Sequence, residues 1–130
     1  ELLAYRIFPP DRLIAAMPDQ TVRPGATIVQ GLRLGPLGMI AAVRVVTVFD
    51  RTVGGVRRAG FSYVTLAGHP ERGAMTFAII DDGPAQVARC EFDVISQPGH
   101  WLVGLGGPVN RQLQRSMTLA ALERLRRVAA

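Results

Sequence analysis

The chain has 130 residues, of which 48% are hydrophobic, and a formal net charge of +5. This length suits a single domain over residues 1–130 that buries about two-thirds of the surface its unfolded form exposes. No apolar run approaches the roughly 20 residues that span a bilayer, which predicts no membrane span, and the lone Cys90 cannot form an internal disulfide. Residues 1–15 lack the layout of a secretory leader, so we expect a cytoplasmic protein, although the start at Glu1 leaves a lost leader open.

The basic charge is concentrated near the C-terminus, and all 15 basic residues are arginine. From residue 111 onward, five arginines stand against Glu123, a local charge of +4. A genomic codon bias explains the preference for arginine, and the macrodipole favours arginines near a helix C-terminus. Because no aromatic residues are interleaved with these arginines, we expect no nucleic-acid partner.

Strand signals dominate the chain up to about residue 96. Leu2–Phe8 is predicted as a first strand, stopped by two prolines that supply no ladder donors, and Asp11–Met17 as a short helix. Five further segments carry β-branched or aromatic residues between turn residues: Ala26–Leu34, Met39–Asp50, Val56–Leu66, Ala74–Asp81 and Gln86–Ser96. The sequence therefore predicts a meander of about six strands.

The last of these strands alternates most clearly. Ala88, Cys90, Phe92 and Val94 fall on one side, and charged residues occupy the positions between them. Period-two patterning with one polar face is typical of an antiparallel sheet that is covered on a single side.

After residue 98 the period changes to that of a helix. Pro108 suits a first helical turn, and an apolar stripe at three- and four-residue spacing predicts one helix from about Pro108 to Val128; its members are Val109, Leu113, Met117, Ala120, Ala121 and Leu125. Leu119 and Leu122 fall off this stripe, which makes a homodimer through the helix one possibility. We predict an α+β fold in which a curved antiparallel sheet of about six strands wraps the long C-terminal helix. This layout is similar to the helix-grip fold of the START and birch-pollen-allergen superfamily, which implies a cavity between sheet and helix.

Two segments resemble an uncharacterised bacterial and plant family, the nineteen-ninety domain of unknown function. The first, Gly60–Gly73, contains a Gly-His-Pro-Glu turn, and the second, Ser96–Gln114, contains Trp-Leu, Gly-Gly-Pro and Arg-x-x-Gln. The chain departs from the family where members often continue Gly-Glu-Glu, since it has Gly73-Ala74-Met75 there. The resemblance supports the fold and implies no activity.

The polar turn that contains His69 is the strongest candidate site. His69 can exchange protons or donate hydrogen bonds near neutral pH, Glu71 can orient the ring or act as a base, and Arg72 can bind an anion. The alternative is a turn held together by its own side chains.

Other candidates lie outside this turn. Tyr63 and Thr65 share one strand face, where polar groups among apolar ones suit a ligand pocket or a satisfied core. Trp101 either stacks on a ligand or packs in the core, and Arg44 either anchors a ligand carboxylate or faces outward. We expect no metal site and no cofactor, because two histidines and one cysteine lack ligand spacing.

Three functions remain open at this point. The first is a binding module for a small apolar or weakly acidic molecule. The second is a cofactor-free cyclase, isomerase or hydrolase with His69 and Glu71 as catalytic acid and base, and the third is an interaction protein that uses Leu119 and Leu122. The sequence does not decide whether the protein is an enzyme.

Overall fold

A computed structural model of the protein describes residues 2–18, 20–34, 36–83, 88–99 and 107–129. Within them, six strands form one antiparallel sheet in chain order, followed by a long helix. The strands are β1 (Leu13–Ala16), β2 (Thr27–Leu34), β3 (Leu37–Val53), β4 (Val56–Thr65), β5 (Glu71–Asp81) and β6 (Arg89–Pro98), and the helix is α1 (Gly107–Ala129). The predicted α+β fold of a six-stranded antiparallel sheet and one C-terminal helix is confirmed.

The N-terminal segment folds differently from the prediction. Leu2–Phe8 is not a strand: the Tyr5 N–H donates to the Leu2 carbonyl at 3.0 Å, and Tyr5 has a φ of 54°, which no strand accommodates. Its buried apolar residues are Leu2, Tyr5, Ile7 and Phe8, an irregular spacing that does not suit an alternating strand. These four side chains pack in the core, and we call residues 2–8 the N-terminal plug. The predicted helix over Asp11–Met17 is also wrong, because Leu13–Ala16 pairs with β2 as an edge strand.

A β-bulge divides strand β3 into two parts, and the residue positions that face the core change from one part to the other. Val43 and Val45 are buried before it, the register shifts between Val45 and Thr47, and Val48 packs against the core after it. Because the side-chain period of a strand is two, one extra residue moves the inward positions from odd to even numbers, and it also bends the sheet. The bulge therefore keeps Val48 on the same inner face as Val43 and Val45.

The core lies on the inner face of the sheet, under the helix. Its largest fully buried side chains are Phe61, Phe77, Ile7, Ile28, Val43 and Val45. The rings of Phe61 and Phe77 lie 5.1 Å apart, and Phe92 meets Phe77 edge-on at 4.8 Å. Burying each large apolar side chain stabilises the fold by about 1.5–3 kcal/mol, so this aromatic cluster contributes strongly to the packing of β4, β5 and β6.

Helix α1 closes the core from the other side. Ala121 and Leu125 are buried and belong to the same cluster, and Met117 packs against it, as the predicted stripe requires. The side chains of Val109 and Leu113, two other stripe members, lie outside the described residues. Arg124 donates from Nε to the Arg6 carbonyl at 3.0 Å, which ties the helix to the N-terminal plug.

Candidate functional site

A cavity of about 340 Å³ lies between one end of the sheet and the first turns of α1. Its apolar wall comes from β5 and β6, through Ala74, Met75 and Val94. The polar residues Tyr63, Thr65, His69, Glu71 and Ser96 line the sheet side, and Arg111, Arg115 and Thr118 line the helix side. The space thus combines an apolar wall with hydrogen-bonding groups from two directions.

The turn between β4 and β5 places His69 at the cavity. Gly68 adopts a φ of +84°, which glycine reaches without strain, and the His69 N–H donates to the Leu66 carbonyl at 3.1 Å. The Glu71 N–H then donates to Nδ1 of the His69 ring at 3.0 Å. The imidazole therefore stabilises the turn through Nδ1, and it also lines the cavity.

This hydrogen bond decides which nitrogen of His69 carries the proton. Nδ1 must present its lone pair to the Glu71 N–H, so the neutral ring is protonated on Nε2. Burial lowers the pKa of His69, and the hydrogen bond to the Glu71 backbone and the Glu71 carboxylate oppose this shift only in part. At neutral pH, His69 is therefore an uncharged ring whose Nε2–H remains as a donor.

Thr65 is the second residue that both supports the turn and faces the cavity. The ladder between β4 and β5 ends at the pair Val64 and Ala74, and the next donor, the Gly73 N–H, bonds to the Thr65 Oγ1 at 3.0 Å. Because that oxygen accepts, the hydroxyl proton of Thr65 can still be donated. Gly73 is required here: a Cβ at this position would lie 1.9 Å from the Ile95 carbonyl oxygen.

Tyr63 reaches the floor of the cavity from a buried polar cluster. Its hydroxyl lies 3.2 Å from the Met75 sulfur and also bonds to the hydroxyl of Tyr5, to which Gln30 Nε2 donates at 2.5 Å. Burial raises the pKa of both tyrosines, so both stay protonated at physiological pH. No buried side-chain polar atom of the described residues lacks a partner, which shows that this cluster is internally satisfied.

The sequence did not single out Tyr5 or Gln30. A signal was present for Gln30, since it stands between Ile28 and Leu32 at inward positions of β2. A polar residue in an apolar alternation indicates a buried hydrogen-bonding group.

The remaining candidates are distributed as follows. Glu71 lines the cavity, whereas Arg72 is exposed and does not. Arg44 is exposed on the outer face of β3, between the inward Val43 and Val45, and does not reach the cavity. Trp101 lies outside the described residues.

Sequence reasoning missed the helix side of the cavity. The charge pattern indicates a basic tail that includes Arg111 and Arg115, yet both residues line the cavity. Their i, i+4 spacing places them on one helix face, but that spacing does not show which face of a helix meets the sheet.

The described part of the chain contains no group of three or more His, Cys, Asp or Glu residues placed to hold a metal ion. None of its helices has the length and apolar character needed to cross a membrane. Burial raises the pKa of Cys90, which keeps its thiol protonated.

Comparison with known proteins gives a family. Residues 1–124 match the family described as Domain of unknown function (DUF1990). No curated protein and no solved structure matches the chain, so the likeness to the helix-grip fold stays a prediction. Since the match covers nearly the whole chain, including the turn at His69 and most of α1, this protein belongs to the DUF1990 family.

Proposed function

We propose that this domain binds a small, mostly apolar molecule in the cavity between the sheet and α1. The observation that carries the proposal is the composition of the cavity wall. Met75, Val94 and Ala74 offer apolar contact, and a few hydrogen-bonding groups stand beside them. Small-molecule sites have this composition and enclose about 300–1,000 Å³, a range that includes the present cavity.

The hydrogen bonds within the site favour a ligand that accepts hydrogen bonds. Nδ1 of His69 and Oγ1 of Thr65 are both occupied as acceptors by backbone N–H groups, so each side chain offers a donor. An oxygen atom on an otherwise apolar molecule could accept a hydrogen bond from these donors. This arrangement supports binding more than proton abstraction by His69, because Nε2 of the neutral ring already carries its proton.

A cofactor-free enzyme is the second candidate, because His69 and Glu71 line the same cavity. The tautomer of His69 would assign it the role of acid or electrophile and leave Glu71 as the base. Replacing Glu71 by glutamine keeps the shape and removes the charge. Such an enzyme would lose turnover of its substrate with little change in affinity, whereas a binding module has no turnover to lose.

The cavity can be tested by filling it. Val94 lines the cavity, and its neighbour Ile95 is 75% exposed, so tryptophan at these two positions forms a matched pair. We expect Val94→Trp to weaken binding of the uncharged fluorophore N-phenyl-1-naphthylamine by about tenfold or more, and Ile95→Trp to change it by less than about twofold.

Fluorescence titration measures both affinities, and native mass spectrometry of the freshly purified protein would identify a retained molecule. Equal affinities in the two variants, or no binding by the wild-type protein, would contradict the proposal.

A further inference from the structure

We propose that the ligand of this cavity carries a carboxylate, which Arg111 and Arg115 bind from the helix side. This inference rests on the proposed binding function and deepens it. It assigns a ligand class and two binding residues.

The arginine pair is placed for an anion. Arg111 and Arg115 are one helical turn apart, both are exposed, and both line the cavity. Like charges at i, i+4 destabilise a helix slightly. A bound anion between the two guanidinium groups would attract both and so offset this repulsion.

At the other end of the same helix, an arginine pairs with a carboxylate of the helix itself. Arg127 stands four residues after Glu123 and donates to its carboxylate at 2.5 Å. Within the described residues, neither Arg111 nor Arg115 forms an ion pair with a carboxylate. The helix thus pairs Arg127 with its own Glu123, whereas Arg111 and Arg115 line the cavity without such a carboxylate partner among the described residues.

The charges around the cavity favour one anionic group. Two arginines on the helix side stand against Glu71 on the sheet side, with His69 neutral, so the described residues of the lining carry a net charge of +1. Glu71 repels an anion from the sheet side, which holds the carboxylate near α1. The apolar body of the ligand then lies against Met75 and Val94.

The guanidinium geometry and the size of the cavity define the ligand further. The planar fork of arginine matches the two oxygens of a carboxylate. A volume of about 340 Å³ is near the lower limit for small-molecule sites, which fits a short-chain or single-ring acid.

The test compares octanoate with 1-octanol, which share an apolar chain and differ in the charged group. Isothermal titration calorimetry is run on the wild-type protein, on the double variant Arg111→Gln/Arg115→Gln, and on Arg126→Gln as an exposed control on the same helix. Circular dichroism melts verify that each variant is folded.

We expect the wild-type protein to bind octanoate about tenfold or more tighter than 1-octanol, and the Arg126 variant to keep this preference. The double variant should lose the preference and still bind 1-octanol. Added salt should weaken binding of octanoate and leave binding of 1-octanol nearly unchanged.

Equal affinity of the wild-type protein for both probes would overturn the inference that the ligand carries a carboxylate. The proposal that the cavity binds a small molecule would remain intact. A preference that survives in the double variant would overturn the assignment to Arg111 and Arg115. Much tighter binding of octyl phosphate than of octanoate would replace the carboxylate by a phosphate. If octanoate, 1-octanol and the uncharged fluorophore all fail to bind, the proposed function fails with the inference.

Discussion

The two halves of helix α1 meet the sheet in different ways. In the C-terminal half, Ala121 and Leu125 are buried among the core residues, and Arg124 bonds to the N-terminal plug. In the N-terminal half, Arg111 and Arg115 lie over a cavity. The helix is thus packed against the sheet at one end and leaves an opening at the other.

This difference separates stability from function. A helix of 23 residues is about 34 Å long, so it can be anchored at one end and still cover a cavity at the other. We expect substitutions in the packed half to affect folding and substitutions around the cavity to affect binding. The following predictions test this division, beginning with the largest expected effect.

Leu125→Ala should destabilise the protein most, by about 2–5 kcal/mol, because it leaves a hole in the core. Leu125 is 5% exposed, whereas Leu119 on the same helix is 56% exposed. Leu119→Ala should therefore change the free energy of unfolding by less than about 0.5 kcal/mol. Denaturant melts that gave equal losses for both variants would show that the assigned helix face is wrong.

Gly73→Ala should cost about 1–3 kcal/mol, since its Cβ would collide with the backbone of β6. Gly38 is the control: it lies in β3, and a Cβ there would meet nothing within 4 Å. Gly38→Ala should be neutral or slightly stabilising. Thermal melts compare the two, and a harmless Gly73→Ala would contradict the close approach of β5 and β6.

Two substitutions of His69 separate its roles in the turn and in the cavity. His69→Ala removes the acceptor of the Glu71 N–H and should cost about 0.5–1.5 kcal/mol. His69→Asn should keep most of that stability, because an asparagine oxygen accepts from the N–H two residues later.

Both His69 variants should bind the cavity ligand more weakly, since both lose the Nε2–H donor. Chemical denaturation gives the stability, and calorimetric titration with 1-octanol, whose hydroxyl oxygen can accept from the Nε2–H, gives the affinity. If His69→Asn bound as tightly as the wild-type protein, His69 would serve only the turn.

The lowered pKa of His69 predicts a small dependence of stability on pH. Its pKa in the folded protein lies below the unfolded value of about 6.5, so the unfolded chain binds the proton first as the pH falls. The stability is complete above pH 6.5 and is lost as the pH falls through that value toward the folded pKa. Between pH 7.5 and pH 5, the wild-type protein should lose more stability than His69→Asn, and parallel curves would contradict the shift.

The parts of the fold that the sequence predicted are those whose pattern is local. The alternation at Cys90 and Phe92 and the helical stripe through Ala121 and Leu125 are visible in any short window. The N-terminal plug was not predictable in this way, because its apolar residues fill space that the rest of the chain creates. A four-residue strand such as Leu13–Ala16 is likewise too short for its period to be distinguished.

The candidate site was likewise predictable only where its residues are close in sequence. Tyr63, Thr65 and His69 were identified because they are close in sequence, and the structure places all three at the cavity. Arg111 and Arg115 come from a distant element, and their position depends on how α1 is rotated against the sheet. The sequence leaves open whether His69 holds the turn or meets a ligand. In the structure, its Nδ1 holds the turn, and the ring also lines the cavity.

The most direct test of the central claim is a heteronuclear-filtered NOE measurement on the protein with bound octanoate. We predict contacts from the octanoate chain to the methyl groups of Met75, Val94 and Thr118, which line the cavity. The exposed Ile40 and Ile95 provide the internal comparison, since they are 79% and 75% accessible and do not line it. Contacts confined to Ile40 and Ile95 would place the ligand on the outer surface and contradict a binding cavity under the open half of α1.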